Sequence, residues 1–322
     1  MVDIKRLGLG CMGMCGKNKA NSIRTIHAAL DAGITLFNTG EFYRGGESEM
    51  VVGEALRDVA RDKYFISVKF GVLLEPSGRI YGLDMNPFNI KAHLTYSLRR
   101  LGLDHIDLYE PARMDLAYPV EDVIGVLADL VKEGYIGHIG LTQVDAQILK
   151  RARTIAPIHT VELRYSMAER DYETTLFPLV QEIGAEVLVF GALAHGLLND
   201  DFLSGTANKS LPATFFSPEN LPANQELVRA LKDVATQKNT TVSRLALAWV
   251  FAKHPSISVL VGTTSESHLL DAVESLKVEL SADDLAEIER VFPASALKGA
   301  GMPEFIYQNG QVVKGPGAKV GL

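Results

Sequence analysis

A (β/α)8 barrel, the TIM-barrel fold, is what this sequence predicts, and three observations predict it. Short β-rich runs alternate with amphipathic helical segments almost from end to end, and eight such runs can be read. No Pro/Ser-rich linker or composition shift divides the 322 residues. Alternation points to parallel βαβ units, and eight is the number that closes this barrel. An open doubly wound sheet competes, but it normally carries a Gly-rich turn running straight from its first strand into a helix. The stretch "GLGCMG" has the glycines, yet no helix starts directly after it. One domain over 1–322 is therefore expected.

The strands read in order as "RLGLG", "TLFNT", "YFISVKF", "HIDLYEPA", "IGHIGLT", "HTVELRY", "AEVLVFG" and "SVLVGT". Between them lie "SIRTIHAALDAG", "ESEMVVGEALRDV", "NIKAHLTYSLRRLG", "VEDVIGVLADLVKEG", "DAQILKRART" and "TTLFPLVQEIG". In "VEDVIGVLADLVKEG" apolar residues recur three and four apart, and Gly134 is a natural stop. Two helices, "NQELVRALKDVATQKN" and "TVSRLALAWVFAKH", precede the eighth strand, and "SHLLDAVESL" follows it. The segment from "LLNDDFLSG" to "FFSPENLPAN" reads as a long irregular excursion. The Gly-rich tail from "KGAGMPEF" onward reads as a loop over one barrel end.

Composition narrows the function. A net charge of −7 without any Lys/Arg block argues against nucleic acid and anionic membranes as partners. The two cysteines, Cys11 and Cys15, form no disulfide framework, and no Cys/His cluster completes a metal site. "MVDIKRLGLG" has no signal-peptide core and no apolar run is long enough for a span, so a cytoplasmic protein is expected.

Barrel active sites sit at the C-terminal strand ends. Here the second strand ends in "FNTGEFY", a polar cluster where apolar residues belong, and Lys69 lies inside the third strand. A lone strand lysine is more often a snorkelling surface residue. Beside a tyrosine it can do chemistry. Free tyrosine has a pKa of about 10, and a cation about 4 Å away favours phenolate by roughly 4 kcal/mol at an effective dielectric of about 20. Such a tyrosine can protonate a carbonyl oxygen as hydride reaches its carbon.

Taken together, "LGLGCMGM", "DAGITLFNTGEFY", "VKFG", "RRLGLDHIDLYEPARMD", "IGHIGLTQ", "AEVLVFGALAHGLL" and "VLVGTTSESHLLDAVESL" resemble the aldo-keto reductase superfamily over nearly the whole chain. "NTGEFY", "DLYEPARMD" and "VEL" are most similar to the pyridoxal reductase branch. The resemblance implies reduction of a small aldehyde or ketone, pyridoxal foremost, with NADPH in preference to NADH. Tyr43 and Lys69 match the family's catalytic Tyr and Lys. Asn38 stands where Asp is usual, and Ala112 where His is usual. These two changes also raise the alternative of a weakened nicotinamide-binding barrel with a regulatory role.

Further contacts follow from the resemblance. Met12 and Asn38 would lie against the cofactor, and Thr142, Gln143 and Glu162 would hold its carboxamide. Phe190 would stack on the nicotinamide. The backbone of "GALAHGLL", with Gly191, Ala192, Leu193, Gly196 and Leu198, would hold the pyrophosphate. Gly262, Thr263, Thr264, Ser265 and His268 would form the adenosine-phosphate site, without the Arg or Lys that relatives often place there. His195 and His254 read as structural or surface residues. Alternation along the fourth strand places Leu108, Glu110 and Ala112 on one face. Glu110 is thus the expected buried partner of Lys69, with the small Ala112 leaving room above it, and a Glu110–Arg164 pair is the rival.

Overall fold

The computed structural model describes residues 6–115, 117–204, 213–254 and 256–315. Eight parallel strands close a barrel: β1 Leu7–Gly10, β2 Leu36–Gly40, β3 Phe65–Phe70, β4 Ile106–Pro111, β5 Ile136–Thr142, β6 Thr160–Arg164, β7 Glu186–Phe190 and β8 Ile257–Gly262. Each pairs with its neighbour in sequence, and β8 returns to β1. This is the (β/α)8 fold that the alternation of strand and helix implies. Leu36, Leu108, Leu188 and Leu260 cluster inside the barrel. Two residues further along the same strands and on the same face come Asn38, Glu110, Phe190 and Gly262. The interior therefore changes from leucine to polar groups within one layer.

Outside, the apolar stripes of the helices meet the outer faces of the strands. Val120–Lys132 buries Val120, Val123, Ile124, Leu127 and Leu130 on one side. α1 (Lys19–Asp31) lies beside the helix Glu266–Glu274, and α2 (Glu47–Leu56) beside Ile90–Leu101. Ala282–Val291 is a helix the sequence reading did not include; Ser281 and Asp284 close a reciprocal capping box at its start. The excursion after β7 is less irregular than expected. Among its described residues are a short helix, Asp200–Ser204, and a turn, Thr214–Phe216, that buries Phe215 and Phe216.

The tail is not a plain loop either. Ile306–Gln308 and Gln311–Lys314 form a hairpin that joins Ile80–Leu83 and Val72–Leu74 in a four-stranded antiparallel sheet. The close approach is specific to glycine, since a Cβ on Gly82 would sit 2.4 Å from the Gly310 carbonyl oxygen. Val72, Leu83 and Ala112 are buried together, with Phe42, Leu74, Ile80 and Tyr307 packed against them. This cover lies over the end of β4. No helix among the described residues is long and apolar enough to cross a membrane.

Candidate active site

β2 delivers Asn38 to the barrel interior and then breaks into a tight loop. Arg44, Gly45 and Gly46 all have positive φ, 55°, 65° and 95°. Gly46 has no substitute, because a Cβ there would also press on the Arg100 side chain at 2.8 Å. Two anchors hold the loop. Thr39 Oγ1 meets Ser48 Oγ at 2.8 Å, and Ser48 donates to the Cys11 carbonyl at 2.8 Å. Glu41 accepts from Gly71 N–H at 2.5 Å and pairs with His93 at 2.9 Å. The result fixes Tyr43, half-buried at the mouth, with Phe42 edge-on against its ring.

Lys69 reaches the same place from β3. Its ammonium lies 5.3 Å from the Tyr43 ring centroid. The side chain is 3% exposed and its charge is compensated across the barrel: Nζ donates to Asn38 Oδ1 at 2.5 Å and to Glu162 Oε2 at 3.0 Å. Asn38 Nδ2 donates to the same Glu162 oxygen at 2.7 Å and to Ser67 Oγ at 3.0 Å. Ser67 in turn donates to Glu110 Oε1 at 2.8 Å. Burial works against the Lys69 charge, but Glu162, then Tyr43 and Glu110, outweigh it and hold the pKa above the usual lysine value. Lys69 is an ammonium. Burial pushes the Tyr43 hydroxyl upward, and Lys69 only partly opposes it. Tyr43 therefore keeps its proton at neutral pH and can donate it.

This geometry corrects the expectation for Glu110. The carboxylate that pairs with Lys69 is Glu162, on β6, and not Glu110, although Glu110 is the register neighbour of Lys69. Glu110 forms no ion pair with Lys69; it accepts from Ser67 and lies beside the Glu162 carboxylate. Burial, and then the Glu162 charge beside it, push its carboxyl up to about 8. The rival pair fails as well: Arg164 binds Glu169 at 2.9 Å, Glu304 at 3.3 Å and the Met302 carbonyl at 2.6 Å. Ala112 is itself buried under the small sheet, against Val72 and Leu83.

The expected cofactor residues divide in two. Thr142 is buried at the end of β5 with its hydroxyl unpartnered. Phe190 is half-buried and packs against the leucine layer. Gln143 and Glu162 are already engaged. The Gln143 amide accepts from Arg164 N–H at 2.7 Å and donates to Glu304 at 2.6 Å. Glu162 serves Lys69 and Asn38. Met12 stands 63% exposed beyond β1.

After β7, Gly191, Ala194, His195 and Gly196 all take positive φ. The three consecutive left-handed residues Ala194, His195 and Gly196 fold the loop back on itself around Ala192, Leu193, Leu197 and Leu198, so that the N–H groups of Ala194, Gly196, Leu197 and Leu198 donate to carbonyls of Gly191, Leu193 and Ala194 within it. After β8, Gly262 is open, Thr263 Oγ1 accepts from Ser265 N–H at 3.0 Å, and Ser265 caps the helix by accepting from His268 N–H. Thr264, Ser265, Glu266 and Ser267 face Asn21, Arg24 and Thr25 of α1 across a cleft of about 450 Å³. Arg24 is a cation the sequence reading missed. It is 240 positions from Thr264, and only the α1 contact with Glu266–Glu274 brings them together. Arg113, half-buried just past β4, was missed too; its guanidinium donates to the Ala112 carbonyl at 2.6 Å, and its charge acts on Tyr43, Tyr172 and Tyr307.

Residues 6–292 match the family described as "Aldo/keto reductase family". A probable aldo-keto reductase 1 of Glycine max is 32% identical over 307 residues, covering 92% of this chain and 88% of that protein. The glycerol dehydrogenase of Gluconobacter oxydans superposes with a TM-score of 0.82 at 26% identity, over 94% of this chain and 95% of that one. An aldo/keto reductase of Klebsiella pneumoniae, solved in complex with NADP and acetate, gives 0.71 at 23% identity over 96% of each chain, a likeness of fold.

Proposed function

We propose, from the premise that this chain belongs to the aldo/keto reductase family, that it reduces an aldehyde with NADPH, and that pyridoxal is the substrate. The observation carrying this reading is the buried Lys69 ammonium set 5.3 Å from the Tyr43 ring at the mouth. When bound, NADPH supplies the hydride. Every other task falls to the chain. Tyr43 donates its proton to the carbonyl oxygen, and Lys69 stabilises the phenolate that remains. The Thr142 hydroxyl and the Phe190 ring orient the nicotinamide. Phe42, Tyr307 and the small sheet keep water from the end of β4. No histidine is needed at 112, because the acid and its cation come from β2 and β3.

The unpartnered Thr142 hydroxyl and the half-buried Phe190 fit a nicotinamide at this end of the barrel. The Klebsiella protein holds NADP on this fold. In our reading Arg24 supplies the guanidinium for the 2′-phosphate, opposite the hydroxyls of Thr264, Ser265 and Ser267. Pyridoxal is supported by the "NTGEFY" and "DLYEPARMD" motifs and by Arg113, a half-buried cation suited to the acidic hydroxyl next to the pyridoxal aldehyde. The test is NADPH oxidation with pyridoxal and a panel of simple aldehydes. Pyridoxal should be the best substrate. Turnover of other aldehydes but not pyridoxal would discard the substrate; turnover of none would discard the activity.

A further inference from the structure

We infer that Glu162 is the counter-ion that positions Lys69 beside Tyr43, so that the negative charge of this active site is supplied from β6, across the barrel from Lys69. The inference rests on the reductase reading above. Position 38, next to Lys69, holds an amide that bears no charge, yet Lys69 is buried and charged. An ammonium there needs a carboxylate within contact. Among the described residues Glu162 is the one that forms an ion pair with it, at 3.0 Å, and it is 2% exposed. Asn38 does not replace the charge. It relays it, accepting from Lys69 through Oδ1 and donating to Glu162 through Nδ2. A carboxylate at 38 would instead face Glu162 directly, two like charges sharing one lysine. The amide at 38 and the acid at 162 thus form one complementary set.

Glu110 completes the proton count. Its Oε1 accepts from Ser67, while Oε2 is buried with no donor. A proton on Oε2 turns that orphaned acceptor into a donor toward the neighbouring Glu162 carboxylate. Two carboxyls and one ammonium then carry no net charge, and Glu162 is held facing Lys69. The charged and ionisable groups that face Lys69 and Tyr43 are Glu162, Glu110, Cys11 and Arg113.

The experiment is a charge exchange, comparing Glu162→Gln, Asn38→Asp and the double variant. Each is measured for pyridoxal reduction and, independently of activity, for Tyr43 ionisation by ultraviolet difference titration against Tyr43→Phe. Glu162→Gln should lose about 10²-fold in kcat, within the range typical of a disrupted general acid. Its Tyr43 should ionise at lower pH, since the Glu162 charge raises that pKa. Asn38→Asp alone should also be impaired. The double variant should recover to within about tenfold of the parent and restore the Tyr43 titration. If Glu162→Gln does not fold, an active double variant supports the exchange by itself. Near-parental turnover with an unmoved Tyr43 in Glu162→Gln, or a double variant that is inactive or unfolded, overturns it. Should the parent reduce no carbonyl at all, the reductase reading fails, and the Tyr43 titration still decides the counter-ion.

Discussion

The two ends of the proposed cofactor track are built on opposite plans. At the β2–β3–β6 end, charges are buried and each is tied to a specific partner: Lys69, Asn38, Glu162 and Ser67 share four hydrogen bonds inside the barrel. At the β8 end, Ser267, His268 and Glu266 are exposed, and the hydroxyls bond one another or the backbone. The first end is fixed before any ligand arrives, and chemistry that moves a proton benefits from that. The second is wet and adaptable, which suits binding a phosphate that takes no part in the reaction. Mutations should separate the two, with stability and turnover responding at one end and affinity at the other.

The largest expected effect is at Lys69. Lys69→Met strands the Glu162 carboxylate in the barrel, and breaking a buried pair from one side costs about 3–5 kcal/mol. Denaturant melts should show that loss together with loss of turnover. A variant as stable as the parent would mean that the buried Glu162 carboxylate does not depend on Lys69. At the other end, Arg24→Gln should weaken NADPH by about tenfold, or 1.4 kcal/mol. NADH affinity and the melting curve should stay put. Equal losses for both nucleotides in a fluorescence titration would remove Arg24 from the 2′-phosphate.

The smallest effect sharpens the buried end by pH. The folded Glu110 carboxyl, at about 8 against the ordinary 4.5, binds a proton that the unfolded chain has released within that window. Its contribution to stability is therefore full below 4.5 and is lost as pH rises toward 8. Glu110→Gln cannot ionise, so its melting temperature should fall less over this window, by on the order of a few degrees. Parallel pH profiles for variant and parent would show that Glu110 is ionised in the folded protein.

The fold was legible because periodicity is local. β2 and β3 could be read from a few residues each, and their polar ends pointed to Tyr43 and Lys69. Two missed elements had local signals too. Asn309–Gly310, both at positive φ, is an Asn-Gly hairpin turn, and Ser281 with Asp284 is a capping box. The charge arrangement was not local. Lys69 and Glu162 are 93 positions apart and three strands distant, and they meet only because the barrel closes. Alternation along β4 pointed instead to Glu110, which the register of β3 and β4 does set beside Lys69. Neighbouring strands share a wall, but a side chain long enough to cross the lumen is free to choose another partner. Arg24 illustrates the same limit outside the barrel, where helix packing sets the approach.

The most direct test of the account is Tyr43→Phe, measured as single-turnover reduction of pyridoxal by enzyme preloaded with NADPH. The hydroxyl is the proposed proton donor, and the change leaves the ring beside Phe42 and the Lys69 pair in place. The account predicts a loss of about 10²–10⁴-fold in the chemical step with NADPH affinity unchanged. A rate near that of the parent would show that another group protonates the carbonyl and would contradict the central role given to Tyr43.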